Sequence, residues 1–325
     1  AKPLQPIFTR SDEYIMKFGP YGVYMLDILL EILPPWYYLH AGKTYDEMRS
    51  WFAMYLPVGP YEVVDVSGLD SCVRGGGVVM FSQLMRHLSF PEEIIEAFVD
   101  DKAMMGIGHI VFAIATQTGE IWTYLLNSMW TTGCECLQFD MQPGTPMANS
   151  GDDIEHLPIP ATLEWGKWEE KAGMKYVRSI SEIGSFCTFL HKGEVLVKEP
   201  IVFFKRIMGQ LERGKMEDSI LGYFELFAIH YKTGDSLFEA LNEHQLENIA
   251  AINHLFFNLR RYGFKAKLDW KKVQLNEAEL LFRDHEVFQE ALTSILTEPE
   301  REPLDPVAQM MTFITNPVMK LWDDE

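Results

Sequence analysis

Three short stretches of this 325-residue chain carry residue types that could do chemistry together. The first is Asp65-Val66-Ser67-Gly68-Leu69-Asp70, two carboxylates five positions apart behind the apolar run Tyr61-Glu62-Val63-Val64. The second is Thr118-Gly119-Glu120, followed by Thr123 and Asn127. The third is Ser150-Gly151-Asp152-Asp153. Short carboxylates held on different strands suit hard divalent cations, which take oxygen ligands and keep several waters. Two such cations roughly 4 Å apart can hold the attacking and leaving oxygens of an in-line phosphoryl transfer. Asp65 is expected to end one strand and Asp152 to occupy the turn of a hairpin, Thr145 to Asn149 and then Ile154 to His156, so that both point at one spot. Asp153 would border that spot as a partial ligand or outer-shell group.

Asp70 and Asn127 suit a different task. A ribose 2′-hydroxyl both donates and accepts hydrogen bonds, and a carboxylate with an amide can serve it from both sides. Thr123 lies one helical turn before Asn127, which puts the two on one helix face. Gly119 would open that helix and, lacking a Cβ, let a nucleic-acid backbone approach closely. Ser150 precedes the turn and borders the same site.

In this order and spacing, the three stretches resemble the catalytic motifs of the RNA-dependent RNA polymerases of positive-strand RNA viruses. The resemblance is to the alphavirus-like supergroup, and within it to the tymovirus and flexivirus replicases. Ser185-Phe186-Cys187-Thr188-Phe189, with Gly193 and Pro200, is similar to that family's primer-grip hairpin, with Thr188 where relatives usually carry Gly. The resemblance implies Mg²⁺ or Mn²⁺ held by Asp65, Asp152 and Asp153. It also implies substrate contacts from Asp70, Gly119, Thr123, Asn127 and Ser150, and a general-acid lysine downstream of Asp152. Lys171 and Lys175 both fall in that region, and Lys175 is preferred because it follows Gly173 and enters the next strand. The implied partners are an RNA template and product and ribonucleoside triphosphates. Other replicase segments or a viral partner would supply a basic fingers element. The implied location is the host cytoplasm, in a replication complex attached to membrane through other segments. The alternative within this family is a catalytically incomplete palm-fold core, or a subunit dependent on a partner.

The elements that must position these residues are legible as an α+β chain. Helix is expected over residues 11–33, interrupted at Gly19-Pro20. A capping box, Thr44-Tyr45-Asp46-Glu47, then leads into a helix from Met48 to Leu56. The Asp65 strand follows, with helices from Gly75 to Leu88 and from Pro91 to about Met104. A strand from His109 to Ala115 and a long helix from Glu120 to Gln138 precede the Asp152 hairpin. Helix over Thr162 to Ala172 and strands at Tyr176 to Ser181, Ser185 to His191 and Glu194 to Val197 complete an antiparallel palm with helices on one face. From Pro200 the pattern is helical. The implied division is a right-hand polymerase palm at residues 61–200, partial fingers at 1–60, a mostly helical thumb at 201–297, and a connector with a last helix at 298–325.

Composition sets limits. Forty-seven acidic against 28 basic residues give a net charge of −19, whereas a nucleic-acid binder ordinarily shows a basic footprint. The basic residues gather instead in clusters such as Lys205, Arg206, Arg213 and Lys215. Four cysteines without paired zinc spacing point to free thiols. The most apolar stretch, Gly22 to Leu39, carries Asp27, Glu31 and Pro34-Pro35 and is expected to cover a core, with no membrane span in the chain. A start at Ala1 without Met suggests a segment of a longer polypeptide. His156 and His191 are expected to be incidental. Two rival functions remain: an Asp-rich enzyme of small diphosphates, which would need its carboxylates on facing helices, and a non-catalytic module that keeps the fold.

Overall fold

A computed structural model describes residues 10–104, 106–107, 110–111, 120–162 and 173–257. The chain forms two compact units, the first comprising residues 1–187 with 191–194 and the second residues 188–190 with 195–325.

In the first unit, helix α1 (Asp12–Ile32) starts at Ser11, whose side chain accepts from the Tyr14 amide. It runs unbroken through Pro20, so the expected interruption does not occur. Proline removes the bond to the carbonyl four residues earlier, and its ring crowds that carbonyl. Pro20 and Met16 both face solvent, where water can serve that carbonyl, while Phe18, Gly22, Met25 and Leu29 are buried. Strand β1 (Tyr37–Leu39) follows, then α2 (Tyr45–Tyr55). Both halves of the Thr44/Glu47 capping box are formed. Next come β2 (Tyr61–Ser67), the single turn α3 (Leu69–Cys72), α4 (Gly75–His87) and α5 (Glu92–Ala103). A two-residue ladder pairs β3 (Gly106–Ile107) with β4 (Ile110–Val111); the remainder of the expected 109–115 strand lies outside the described residues. Helix α6 (Thr123–Gln138) precedes a hairpin of β5 (Met147–Ser150) and β6 (Asp153–His156). Strand β7 (Lys175–Ser181) and the short β8 (Gly184–Phe186) come after it. The helix expected from Thr162 lies, beyond Thr162 itself, outside the described residues.

The main sheet has the order β1-β5-β6-β2-β7. It is mixed, not wholly antiparallel as expected, because β1 adds to β5 in parallel through Tyr37↔Met147 and Leu39↔Asn149. One face carries Val64, Val66, Ile154 and Tyr176 into a core shared with α1, α4, α5 and α6. Trp122 centres that core, with Phe18, Phe81 and Phe98 each 6.0 Å away edge-on. A Cβ at Gly77 of α4 would collide with Val73 at the end of α3, and one at Gly76 would crowd Trp130 of α6 at 3.3 Å.

The expected strand from Ser185 to His191 is interrupted. Cys187 and Thr188 turn the chain with φ of 49° and 64°, and β9 (Phe189–Lys192) and β10 (Val195–Lys198) follow. In the second unit, Pro200 opens α7 (Pro200–Glu212), and Glu199 caps it by accepting from the amides of Ile201 and Val202. Helices α8 (Met216–Thr233), α9 (Leu237–Ala240) and α10 (Glu243–Phe257) complete the described part. Phe203, Ile207 and Leu211 of α7 are buried, as are Ile220 and Phe227 of α8 and Ile249, Ile252 and Leu255 of α10.

Candidate active site

Asp65 and Asp153 face each other across neighbouring strands. The β2–β6 register pairs them directly, and directly paired residues of an antiparallel ladder point to the same face. The alternation of β2 decides which face: Val64 and Val66 enter the core, while Asp65 and Ser67 are exposed. Asp152 is exposed on the adjoining turn, and Ser150 lies opposite Asp153 across the hairpin. The turn is built by Gly151, whose φ of 72° is left-handed and costs glycine nothing. The carboxylates picked out from sequence thus share one exposed strand face and its bordering turn. Hard oxygen donors in this arrangement fit a divalent cation. Among the described residues no group of three or more His, Cys, Asp or Glu closes around a single point.

What holds the turn is helix α6. Ser128 Oγ accepts from the Gly151 amide at 2.9 Å, and Thr131 Oγ1 donates to the Gly151 carbonyl at 3.0 Å. Asn149 Nδ2 donates to Thr131 Oγ1 at 2.9 Å, and Asn149 Oδ1 accepts from the Gly151 amide at 3.1 Å. Ser128, Thr131 and Asn149 are all buried. Sequence reasoning passed over these three residues. Small polar side chains in an apolar helix and strand are a weak signal, but Ser128 and Thr131 do sit one and four positions after Asn127, on the same helix.

Asp70 and Asn127 are brought together: Asn127 Nδ2 donates to Asp70 Oδ1 at 2.6 Å. Gly68, at φ 67°, lets the chain leave β2 and curl into α3, which carries Asp70 to helix α6. Asn127 is 7% exposed, and its Oδ1 is buried without a hydrogen-bond partner among the described residues. A solvated helix asparagine would show neither property.

Helix α6 begins at Thr123, not at Glu120. Thr123 is therefore its first residue, one turn before Asn127 and half-buried. Gly119 lies outside the described residues, as does Lys171. Glu120 is fully buried against Lys102, with Arg10 bridging Asp101 and Glu120. Burial pushes the Glu120 carboxyl up and the Lys102 ammonium down, and their mutual attraction opposes both shifts. Glu120 therefore ties the start of α6 to the end of α5. Lys175 is exposed at the start of β7 and registers with Ser67, two residues along from Asp65 and on the same face.

His156 and His191 are fully buried, each with its Nε2 against a glutamate. His191 Nε2 meets Glu155, while His156 Nε2 meets Glu135 Oε2 at 3.3 Å. Arg178 reaches Glu62 at 3.0 Å and Glu135 at 2.6 Å. These pairs stiffen the sheet away from Asp65, and neither histidine belongs to the candidate site.

No family model matches the chain. The chain is 24% identical over 252 residues to the RNA-directed RNA polymerase of apple chlorotic leaf spot virus, covering 76% of this chain and 13% of that protein. It is 27% identical over 270 residues to an RNA replication protein of potato virus S, covering 82% of this chain and 74% of that one. It is 24% identical over 258 residues to the non-structural replication polyprotein of turnip yellow mosaic virus, covering 78% of this chain and 14% of the polyprotein. Among solved structures, the RNA-dependent RNA polymerase of a human picobirnavirus, with an insertion loop deleted, superimposes with a TM-score of 0.51 at 13% identity, over 89% of this chain and 60% of that one.

The relatives that these matches name are polymerase and replication proteins of positive-strand, alphavirus-like plant viruses, as the three motifs imply. The mixed α/β architecture is that of viral RNA-dependent RNA polymerases. The chain spans about 13% of the first of these relatives.

Proposed function

We propose that this chain is the catalytic core of a viral RNA-dependent RNA polymerase, adding ribonucleotides to a 3′-hydroxyl on an RNA template. The observation that carries the proposal is the pairing of Asp65 with Asp153 on an open strand face beside the Gly151 turn. In this reading Asp65, Asp152 and Asp153 hold two Mg²⁺ or Mn²⁺ ions. Such ions neutralise charge on the transferring phosphoryl group and leaving pyrophosphate. The residues' own work is positioning. The β2–β6 ladder fixes Asp65 against Asp153, and Ser128, Thr131 and Asn149 fix the turn that presents Asp152. Asp70 and Asn127 form one unit that reads the ribose 2′-hydroxyl. The unpartnered Asn127 Oδ1 offers an acceptor to that hydroxyl, and Ser150 and Thr123 border the nucleotide. Lys175 projects beyond the carboxylates as the proton donor to the leaving group, and Gly119 approaches the template.

Residues 61–200 serve in this proposal as palm, 1–60 as part of the fingers, 201–297 as thumb and 298–325 as a connector with a closing helix. The acidic surface repels RNA, so a basic fingers segment comes from adjoining replicase segments or from a viral partner. Replication proteins act in infected cells, and membrane attachment would run through those other segments. No described helix is long and apolar enough to cross a membrane.

The test is primer extension on a defined template, with the adjoining replicase segments present. Asp152→Asn keeps the side-chain volume and removes the charge. Because metal clamping supplies several kcal/mol of transition-state stabilisation, incorporation is expected to fall about 1,000-fold or more, with an unchanged circular dichroism spectrum. Wild-type incorporation by the variant would overturn the proposal.

A further inference from the structure

Helix α7 of the second unit has a face that its packing does not explain. Phe203, Ile207 and Leu211 go into the core. On the other side, Val202, Lys205, Arg206, Gly209, Gln210 and Arg213 follow one another at spacings of three, one, three, one and three residues, which is one stripe of an α-helix. With Tyr223 of α8 they line a cavity of about 440 Å³. That size lies within the roughly 300–1,000 Å³ of small-ligand sites.

Among the described residues, three cations and no carboxylate line this cavity, in a chain whose net charge is −19. Gly209 leaves it open: a Cβ built there meets nothing within 4 Å. Gln210 Oε1 is buried and has no hydrogen-bond partner among the described residues. A solvated basic face accounts for the cations and for the open space at Gly209, but not for the buried Gln210 Oε1. Together these features describe an anion site with one acceptor still waiting for a donor.

We propose that this cavity binds a nucleoside triphosphate, independently of the polymerase reading and of Asp65, Asp152 and Asp153. Lys205, Arg206 and Arg213 take the polyphosphate, the arginines through their planar forks. Gln210 Oε1 accepts from a base amine or ribose hydroxyl, and the half-buried Tyr223 ring flanks the base. A single-stranded RNA needs cations continued along a track with successive stacking platforms, whereas these three line one depression beside a single aromatic ring, Tyr223.

The experiment is equilibrium binding of ATP, of inorganic triphosphate and of a single-stranded oligoribonucleotide to the full chain in EDTA, which suppresses metal-dependent nucleotide binding. ATP is expected to bind, more tightly than inorganic triphosphate. Its affinity should fall at least 10-fold in Lys205→Glu/Arg213→Glu and likewise in Gly209→Leu, which fills the cavity without changing charge. Asp152→Asn should bind ATP as the wild type does. Circular dichroism checks that each variant folds, and Gly209→Leu favours its helix in any case. Three results would each overturn the proposal: no ATP binding, ATP binding that survives both cavity variants, or inorganic triphosphate binding as tightly as ATP. Oligoribonucleotide affinity alone responding to the cavity variants would also overturn it and make the stripe an RNA contact.

Discussion

An amide held against a carboxylate at 2.6 Å is a committed hydrogen bond; what makes the Asp70–Asn127 pair useful is the capacity left over. Asn127 Oδ1 remains an acceptor, and a hydroxyl that reaches it can donate to it. A 2′-deoxyribose offers no such donor, so the buried Asn127 Oδ1 stays unsatisfied when it binds. Leaving a buried polar atom unpaired costs about 1–3 kcal/mol, and that is the expected size of ribose selection at this site. Asn127→Ala and Asp70→Ala are therefore each expected to narrow the preference for ribonucleotides over deoxyribonucleotides by roughly 5- to 150-fold, read as the ratio of kcat/KM for matched substrates. A ratio unchanged in both variants would move sugar selection to other residues. Neither Asp70 nor Asn127 stands out by type, because acidic and amide residues on a helix are ordinary. What was legible was their spacing from Asp65 and Thr123, and the structure then supplied the bond between them. Lys102 shows the opposite case: a lysine in an acidic helix reads as surface, and nothing local signals that Glu120, eighteen positions on, will bury it.

At the scale of elements, the Gly151 turn depends on helix α6 as much as on its own glycine. Thr131 Oγ1 donates to Gly151, with further contacts to the Asn127 and Ser128 carbonyls at 2.9 and 3.1 Å, and accepts from Asn149. Thr131→Val keeps the shape and removes every one of those bonds. Stability is expected to fall by about 1–3 kcal/mol, measured by urea unfolding. Nucleotide incorporation should lose kcat with little change in KM, because the turn is displaced while nucleotide contacts remain. A loss confined to KM would assign Thr131 to nucleotide binding instead. The helix and the hairpin were both legible in the sequence, from the apolar period and from Ser-Gly-Asp-Asp. The contact between them was not, since it joins small side chains about twenty residues apart. Strand β1 was missed for a related reason. Three residues after Pro34-Pro35 are too few to show alternation, and its place beside β5 is set by the sheet edge it covers. The Cys187-Thr188 turn was hidden because Ser-Phe-Cys-Thr-Phe alternates like a strand, and non-glycine residues rarely take positive φ.

For the molecule as a whole, acid has two opposing effects. Net charge of −19 at neutral pH repels itself, and protonating carboxylates relieves that repulsion. Against this works His230, buried between helices and bound through Nε2 to the Lys198 carbonyl at 2.8 Å. That bond requires Nε2 to be the donor. A second proton would therefore go to Nδ1, which is buried without a partner among the described residues. Desolvation accordingly lowers the His230 pKa from 6.5 to about 4, with the Lys198 bond opposing the shift. The sign follows from where protons bind. Between about pH 6.5 and pH 4 the unfolded chain holds a proton on His230 that the folded chain lacks, so stability from this group is complete above 6.5 and is lost as pH falls. Shifts of this size correspond to about 2 kcal/mol lost between pH 7 and pH 5. His230→Gln keeps a donor for Lys198 and cannot titrate. Its unfolding free energy, from urea titrations at the two pH values, is expected to fall by about 2 kcal/mol less than that of the wild type. Equal falls in the two proteins would mean that His230 does not set the acid sensitivity of the helical unit, and that the charge balance of the remaining surface does.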